Sequence, residues 1–177
     1  TKPSDDIDES LYSRQLYVMG KEAQRKMMGS NVLIAGLDGL GAEIAKNVIL
    51  AGVKSVTLLD PTPTRMRDLG AHFYLTPADV EAKRPRAAAC AAKLGELNNY
   101  VTVRVAPDSL QLTDANALAP FSVVVMNMGS LELKAQVNAA CRATPTKTCF
   151  IASDAAGGLT GWAFSDFGDA FVVSDMT

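Results

Sequence analysis

Metal ligands are scarce in this sequence. Its 177 residues include one histidine and three cysteines. The cysteines, Cys90, Cys141 and Cys149, form no C-x-x-C pair. Common metal sites need a local cluster of such ligands, and disulfide frameworks need dense, even-numbered cysteines. The expectation is therefore no metal site and three reduced, mostly buried thiols. No cysteine stands near the lone histidine, His72, in sequence, which disfavours a thiol nucleophile. Long apolar runs are missing too. The longest, such as VVVMNM, fall far short of a membrane span. An excess of positive charge is also absent: 17 Lys and Arg stand against 19 Asp and Glu, a formal net charge of −2. That balance argues against an electrostatic grip on nucleic acid or an anionic membrane. The opening TKPSDDIDES has no signal- or transit-peptide character, and a cytoplasmic or nuclear location is the expectation.

What is present reads as one globular domain. Hydrophobic residues make up 48% and charged residues 20%, enough for a core of ordinary composition. Residues 10–28 have helix-forming composition interrupted near Gly20, which predicts two short helices. Val32–Ala35 reads as a buried strand and Gly36–Gly41 as a tight turn. A helix follows from Gly41 to about Ala51, with Gly52 placed as its C-terminal glycine. Ser55–Leu59 is a second strand. DPTPTRMRDLGAHFYLTPAD reads as loop. Lys83–Leu97 is an alanine-rich helix after a break near Pro85. Strands are predicted at Val101–Val105, Ser122–Met126 and Thr148–Ala152, with a helix at Leu131–Arg142. Leu159–Asp166 and Ala170–Ser174 are expected to pair antiparallel around Asp166–Gly168.

Strands alternating with helices predict an α/β fold: a Rossmann-like parallel sheet flanked by helices, with N-terminal helices and a C-terminal antiparallel pair. Ligands of such sheets sit at the carboxyl ends of the strands. Here that is beside Gly36–Gly41, Asp60 and Met126–Gly129. In G-L-D-G-L-G, Gly36 and Gly41 match the turn and packing glycines of a dinucleotide loop. Gly39 lies between them, and Asp60 stands where a ribose-binding carboxylate is expected. Asp38 occupies the phosphate-facing position. Its charge suits a helix N-terminus and competes with a phosphate there. Two readings stand on the loop alone: a nucleotide in an altered pose, or a structural loop capped by Asp38.

Several segments together resemble one family. DIDESLYSRQLYVMG, GLDGLGAEIAKNVILAGVKSVTLLD, HFYLTPADV, LNNYVTV and FSDFGDAFVVSD are similar, in order, to the amino-terminal half of ubiquitin-activating enzymes, within the ThiF-like superfamily. The resemblance implies a longer multidomain protein of which residues 1–177 are the first part of the inactive adenylation domain. Such enzymes use ATP and magnesium to adenylate the ubiquitin C-terminus, then capture it as a thioester. The partners implied are the active half of the same polypeptide, ubiquitin, and a ubiquitin-conjugating enzyme reached through other domains. None of the three cysteines is expected to be the thioester cysteine.

The resemblance also accounts for losses. An active half carries a glycine where Asp38 stands, a second aspartate where Thr62 stands, an arginine where Ala71 stands, and a carboxylate within the stretch matching Met126–Gly129. Phosphoryl chemistry needs cations placed against developing charge, so the Gly36, Gly39, Gly41 and Asp60 site is expected to be vestigial, with ATP and magnesium held by the active half. One positive role carries over. Arg14, in the S-R-Q stretch, matches the arginine that reaches across to the partner half's ATP, and a guanidinium suits a phosphate. His72 is expected to pack rather than to catalyse, Lys46 and Asn47 to be structural or to contact the other half, and Trp162 and Phe164 to serve core or interface. Two alternatives remain: the small subunit of a SUMO-type activating heterodimer, and a freestanding NAD-binding oxidoreductase.

Overall fold

The computed structural model describes residues 8–156, 159–169 and 171. The chain runs α1 (Ser13–Met28), β1 (Asn31–Ala35), α2 (Gly39–Ala51), β2 (Ser55–Leu59), α3 (Pro77–Glu81), α4 (Arg86–Gly95) and β3 (Thr102–Val105). It continues through α5 (Ala115–Leu118), β4 (Val123–Met126), α6 (Leu131–Ala143), β5 (Cys149–Ala156) and β6 (Thr160–Asp166). The six strands form one sheet in the order β3-β2-β1-β4-β5-β6. All neighbours are parallel except β5 and β6, which are antiparallel. The order reverses between β1 and β4, the position where ligands of open α/β sheets bind.

Strand periodicity builds the three layers. Successive β-residues point to opposite faces, so β1 must be apolar on both. Val32 and Ile34 pack with Ala45 and Ile49 of α2 and with Cys90 and Leu94 of α4. Leu33 and Ala35 pack on the other face with Leu118 of α5 and Val137 and Cys141 of α6. Cys90 and Cys141 are buried, and burial pushes each thiol up to about 12. The thiolate is then negligible at neutral pH, in line with the reading of inert core thiols.

Local chemistry sets the ends. The α1 span is two helical pieces joined at Gly20, whose φ of 78° breaks the helix as expected. Gly52 ends α2 in the left-handed region at φ 84°. Ser130 caps α6 by accepting from Leu133 N, and Thr76 caps α3 by accepting from Asp79 N.

Two expectations need correction, and two features were not foreseen. The stretch after Asp60 is more ordered than a loop: it contains a 3₁₀ turn at Met66–Gly70 and the short α3. The prolines punctuate it, but Thr76-Pro77 with Asp79 makes a capping box that starts a helix. The alanine-rich helix begins at Arg86 rather than Lys83, because Lys83 has φ 49° and Pro85 is extended. Helix α5 carries too short a pattern to be read. Thr160–Asp166 pairs antiparallel with β5, with Ala152 opposite Phe164 and Asp154 opposite Trp162. The segment Ala170–Ser174 lies outside the described residues except for Phe171.

Candidate functional site: the crevice at the sheet's reversal

The glycine loop folds as its spacing demands. Gly36 follows β1 with φ 101° and donates through its N–H to Leu59 O at 2.8 Å. Gly41 packs onto the Gly36 carbonyl so closely that no Cβ fits. Asp38 is the N-cap of α2, its Oδ1 accepting from Gly41 N at 3.0 Å. The same oxygen accepts from Asn127 Nδ2 at 2.9 Å. Asn127 follows β4, is 5% exposed, and lies with its Oδ1 against Gly36. Its Oδ1 is buried and without a hydrogen-bond partner. Thus the loops after β1 and β4 are tied by one carboxylate. Asp38 thus caps α2 through Gly41 N.

The neighbouring residues complete the crevice. A Cβ on Gly39 would lie 2.8 Å from the Ala71 Cβ, so the segment after the 3₁₀ turn rests on the glycine loop. Asp60, 2% exposed, accepts from Leu37 N at 2.8 Å and Thr62 N at 2.9 Å. Both oxygens are engaged within the chain. Arg86, at the start of α4, reaches Asp60 at 3.5 Å and grips Asp68 with Nε and Nη2 at 2.9 and 2.8 Å. Burial alone would raise the Asp68 carboxyl, but the Arg86 hydrogen bonds and Arg65 N hold it below its usual value.

His72 sits beside this group, 2% exposed. Its Nδ1 accepts from Tyr74 N at 3.4 Å, and its Nε2 is buried without a partner. Burial pushes its pKa down, the Arg86 charge adds to this, and Asp68 and Asp38 oppose it. The ring is held neutral, in keeping with a packing role. Arg86, Asp68 and Asn127 were not singled out in sequence. Asp68 and Arg86 are 18 residues apart, and no short motif announces such a pair.

The structure separates Arg14 from the crevice. Arg14 is exposed in the first turn of α1 and lines a hollow of about 640 Å³ with Leu50, Leu97 and Tyr100. Leu50 belongs to the last turn of α2, while Gly39 opens that helix. The 13 residues of α2 place the two ends roughly 20 Å apart. Lys46 and Asn47 stay local to α2: Lys46 pairs with Glu43 at 2.5 Å, and Asn47 Nδ2 donates to Glu43 O. Trp162 and Phe164 are 44% and 51% exposed rather than core, and Lys134 Nζ lies 4.7 Å over the Trp162 ring. Among the described residues there is no cluster of His, Cys, Asp and Glu able to hold a metal, and no helix long and apolar enough to cross a membrane.

Comparison with known proteins gives the geometry its context. The chain is 47% identical over 169 residues to ubiquitin-activating enzyme E1 1 of Schizosaccharomyces pombe, covering 96% of this chain. It is 44% identical over 171 residues to human ubiquitin-like modifier-activating enzyme 7, covering 97%. It spans only 16% of the length of each relative. Among solved structures, the E. coli tRNA N6-threonylcarbamoyladenosine dehydratase TcdA superposes with a TM-score of 0.67 at 18% identity. That match covers 81% of this chain and 59% of TcdA, and it is a likeness of fold. The ThiF-family pattern matches residues 12–163. With its Rossmann-like sheet and glycine loop at the reversal point, the chain belongs to the ThiF family.

Proposed function

We propose that this chain is the catalytically inactive adenylation half of a ubiquitin-activating enzyme, the first part of a longer polypeptide. In this reading it scaffolds the active half, helps to hold ubiquitin, and offers Arg14 to the ATP of that half. Similarity across nearly the whole chain to activating enzymes supports the class. The observation that carries the inactivity is the Asp38 carboxylate, which takes Gly41 N, the amide a phosphate would use, and is tied to Asn127. A triphosphate at this turn is disfavoured. It would meet a fixed negative charge at the helix N-terminus, with Ala71 against Gly39 and Arg86 already committed to Asp60 and Asp68. ATP and magnesium therefore belong to the active half, and ubiquitin-conjugating enzyme contacts belong to other domains. The place of work is the cytoplasm and nucleus.

Three experiments test this. The chain, supplied with ubiquitin and magnesium ATP, is expected to catalyse no pyrophosphate exchange; measurable exchange would overturn the inactive reading. Thermal shift with ATP and with NAD is expected to be flat for both. Stabilisation by NAD alone would favour the oxidoreductase. Transfer of a SUMO-type modifier, with ubiquitin inert, would favour the small subunit of that heterodimer.

A further inference from the structure

We infer that Tyr12 and Asn98 form a seat that fixes the position of Arg14; this rests on the role proposed above for Arg14. Tyr12 precedes Arg14 by two residues and is only 3% exposed, although it stands in an otherwise exposed turn. Its ring passes under the start of α1 to the far end of α2. There a Cβ on Gly52 would come within 2.5 Å of the Tyr12 hydroxyl. Gly52 thus serves twice, as the left-handed end of α2 and as the notch that admits the phenol.

Asn98 closes the seat. It is 9% exposed. Its Nδ2 donates to Tyr12 Oη at 3.0 Å and to Ile49 O at 3.0 Å, while its Oδ1 accepts from Tyr100 N at 3.0 Å. One amide therefore joins the ends of α2 and α4 to the phenol of Tyr12. The backbone of Tyr12 is held as well: its N–H donates to Asp8 O at 3.0 Å, and its carbonyl accepts from Leu16 N at 2.8 Å. Tyr100 Oη donates to Asp8 Oδ2 at 3.2 Å, bracing the same segment from outside.

The arrangement is more than an anchor for a helix. Leu11, Tyr17 and Val18 are exposed at 54%, 93% and 81%, so the start of α1 and the turn before it have little apolar burial of their own to hold them. Tyr12 is the buried contact beside Arg14. A long arginine arm is useful only when its root is fixed, because misplacement by about 1 Å can cost on the order of a hundredfold in rate. Tyr12 and Asn98 are thus positioning residues, acting through Arg14.

A double-mutant cycle in the full-length activating enzyme tests this, read by ATP–pyrophosphate exchange and thermal melting. Arg14→Ala is expected to lower exchange strongly. Tyr12→Phe, which keeps the ring and removes the hydroxyl, should lower kcat about fivefold with little change in the KM for ubiquitin. In the Arg14→Ala background, Tyr12→Phe should cost nothing further. Additive losses would overturn the inference, since they would mark a general structural effect. Full activity of Tyr12→Phe beside an impaired Arg14→Ala would overturn the seat and leave the Arg14 role standing. Full activity of Arg14→Ala would overturn both. If Tyr12→Phe does not accumulate as folded protein, Asn98→Ser removes the donor to the Tyr12 hydroxyl, together with the amide's bonds to Ile49 and Tyr100, and is read in the same cycle.

Discussion

Asn127 donates to Asp38 at 2.9 Å, joining the loop after β4 to the N-terminus of α2 across the line where the sheet reverses. Asp38 also caps α2 through Gly41 N, so one side chain closes the crevice and starts a helix. Asp38→Ala is expected to destabilise the chain by about 1–2 kcal/mol, the usual worth of an N-cap. The melting temperature should fall by roughly 2–8 °C. Asp38→Asn keeps a capping oxygen and should lose less. Equal melting of Asp38→Ala and the parent would refute the capping role.

Arg86 carries more risk. It is 11% exposed and faces Asp60 and Asp68, themselves 2% and 7% exposed. Removing it strands two buried carboxylates, which costs about 3–5 kcal/mol when a buried pair loses one partner. Arg86→Ala should therefore lower the urea midpoint further than Asp38→Ala does. Arg86→Lys should rescue it only in part, because an ammonium cannot repeat the two-pronged grip on Asp68. Full rescue by lysine would contradict that geometry.

His72 predicts a pH dependence. Its folded-state pKa lies below 6.5, chiefly through burial. The unfolded chain then binds a proton that the folded chain resists. Stability is complete above about pH 6.5 and falls as the pH drops towards the depressed folded value. His72→Gln should flatten the stability curve between about pH 6.5 and 5. A parent protein equally stable at pH 7 and pH 5 would count against a buried neutral His72.

Asp166 predicts an effect at lower pH. Arg142 donates to it through Nε at 2.6 Å and Nη2 at 3.1 Å, Gly168 N and Asn138 add hydrogen bonds, and its pKa is lowered to about 2. A depressed carboxyl stabilises the fold above its unfolded value near 3.8 and loses that contribution as the pH falls through about 2. Asp166→Asn should lower the melting temperature only modestly at neutral pH, since Arg142 is partly solvated and the pair is screened. The gap between variant and parent should shrink below about pH 4. A gap that stays constant down to about pH 2 would exclude the ion pair as its source.

The candidate site was legible in sequence to different depths. Gly36, Gly41 and Asp60 are separated by short, fixed intervals that a strand–turn–helix imposes, so their placement followed from local rules. Asp38 was legible as a cap for the same reason. Arg86 and Asp68 were not, because a salt bridge between a 3₁₀ turn and a distant helix depends on how the intervening chain folds back. Trp162 and Phe164 were expected in core or interface, and the structure places them outside the core: alternation along a strand tells which residues share a face, not whether that face is covered. That β6 pairs with β5 was not foreseen, because strand pairing is decided by which edges the fold brings together.

By itself, the sequence determined the alternation of strands and helices, the buried strand β1, the break at Gly20 and the end of α2 at Gly52. These follow from periodicity, dihedral limits and capping, all of which act over a few residues. Only the tertiary structure decided that Asp38 meets Asn127, that Arg86 spans Asp60 and Asp68, and that Arg14 lies at the opposite end of α2 from the glycine loop. Those side-chain pairings join segments 18 to 89 residues apart. They exist because sheet order and helix packing bring distant side chains together, which no local rule specifies.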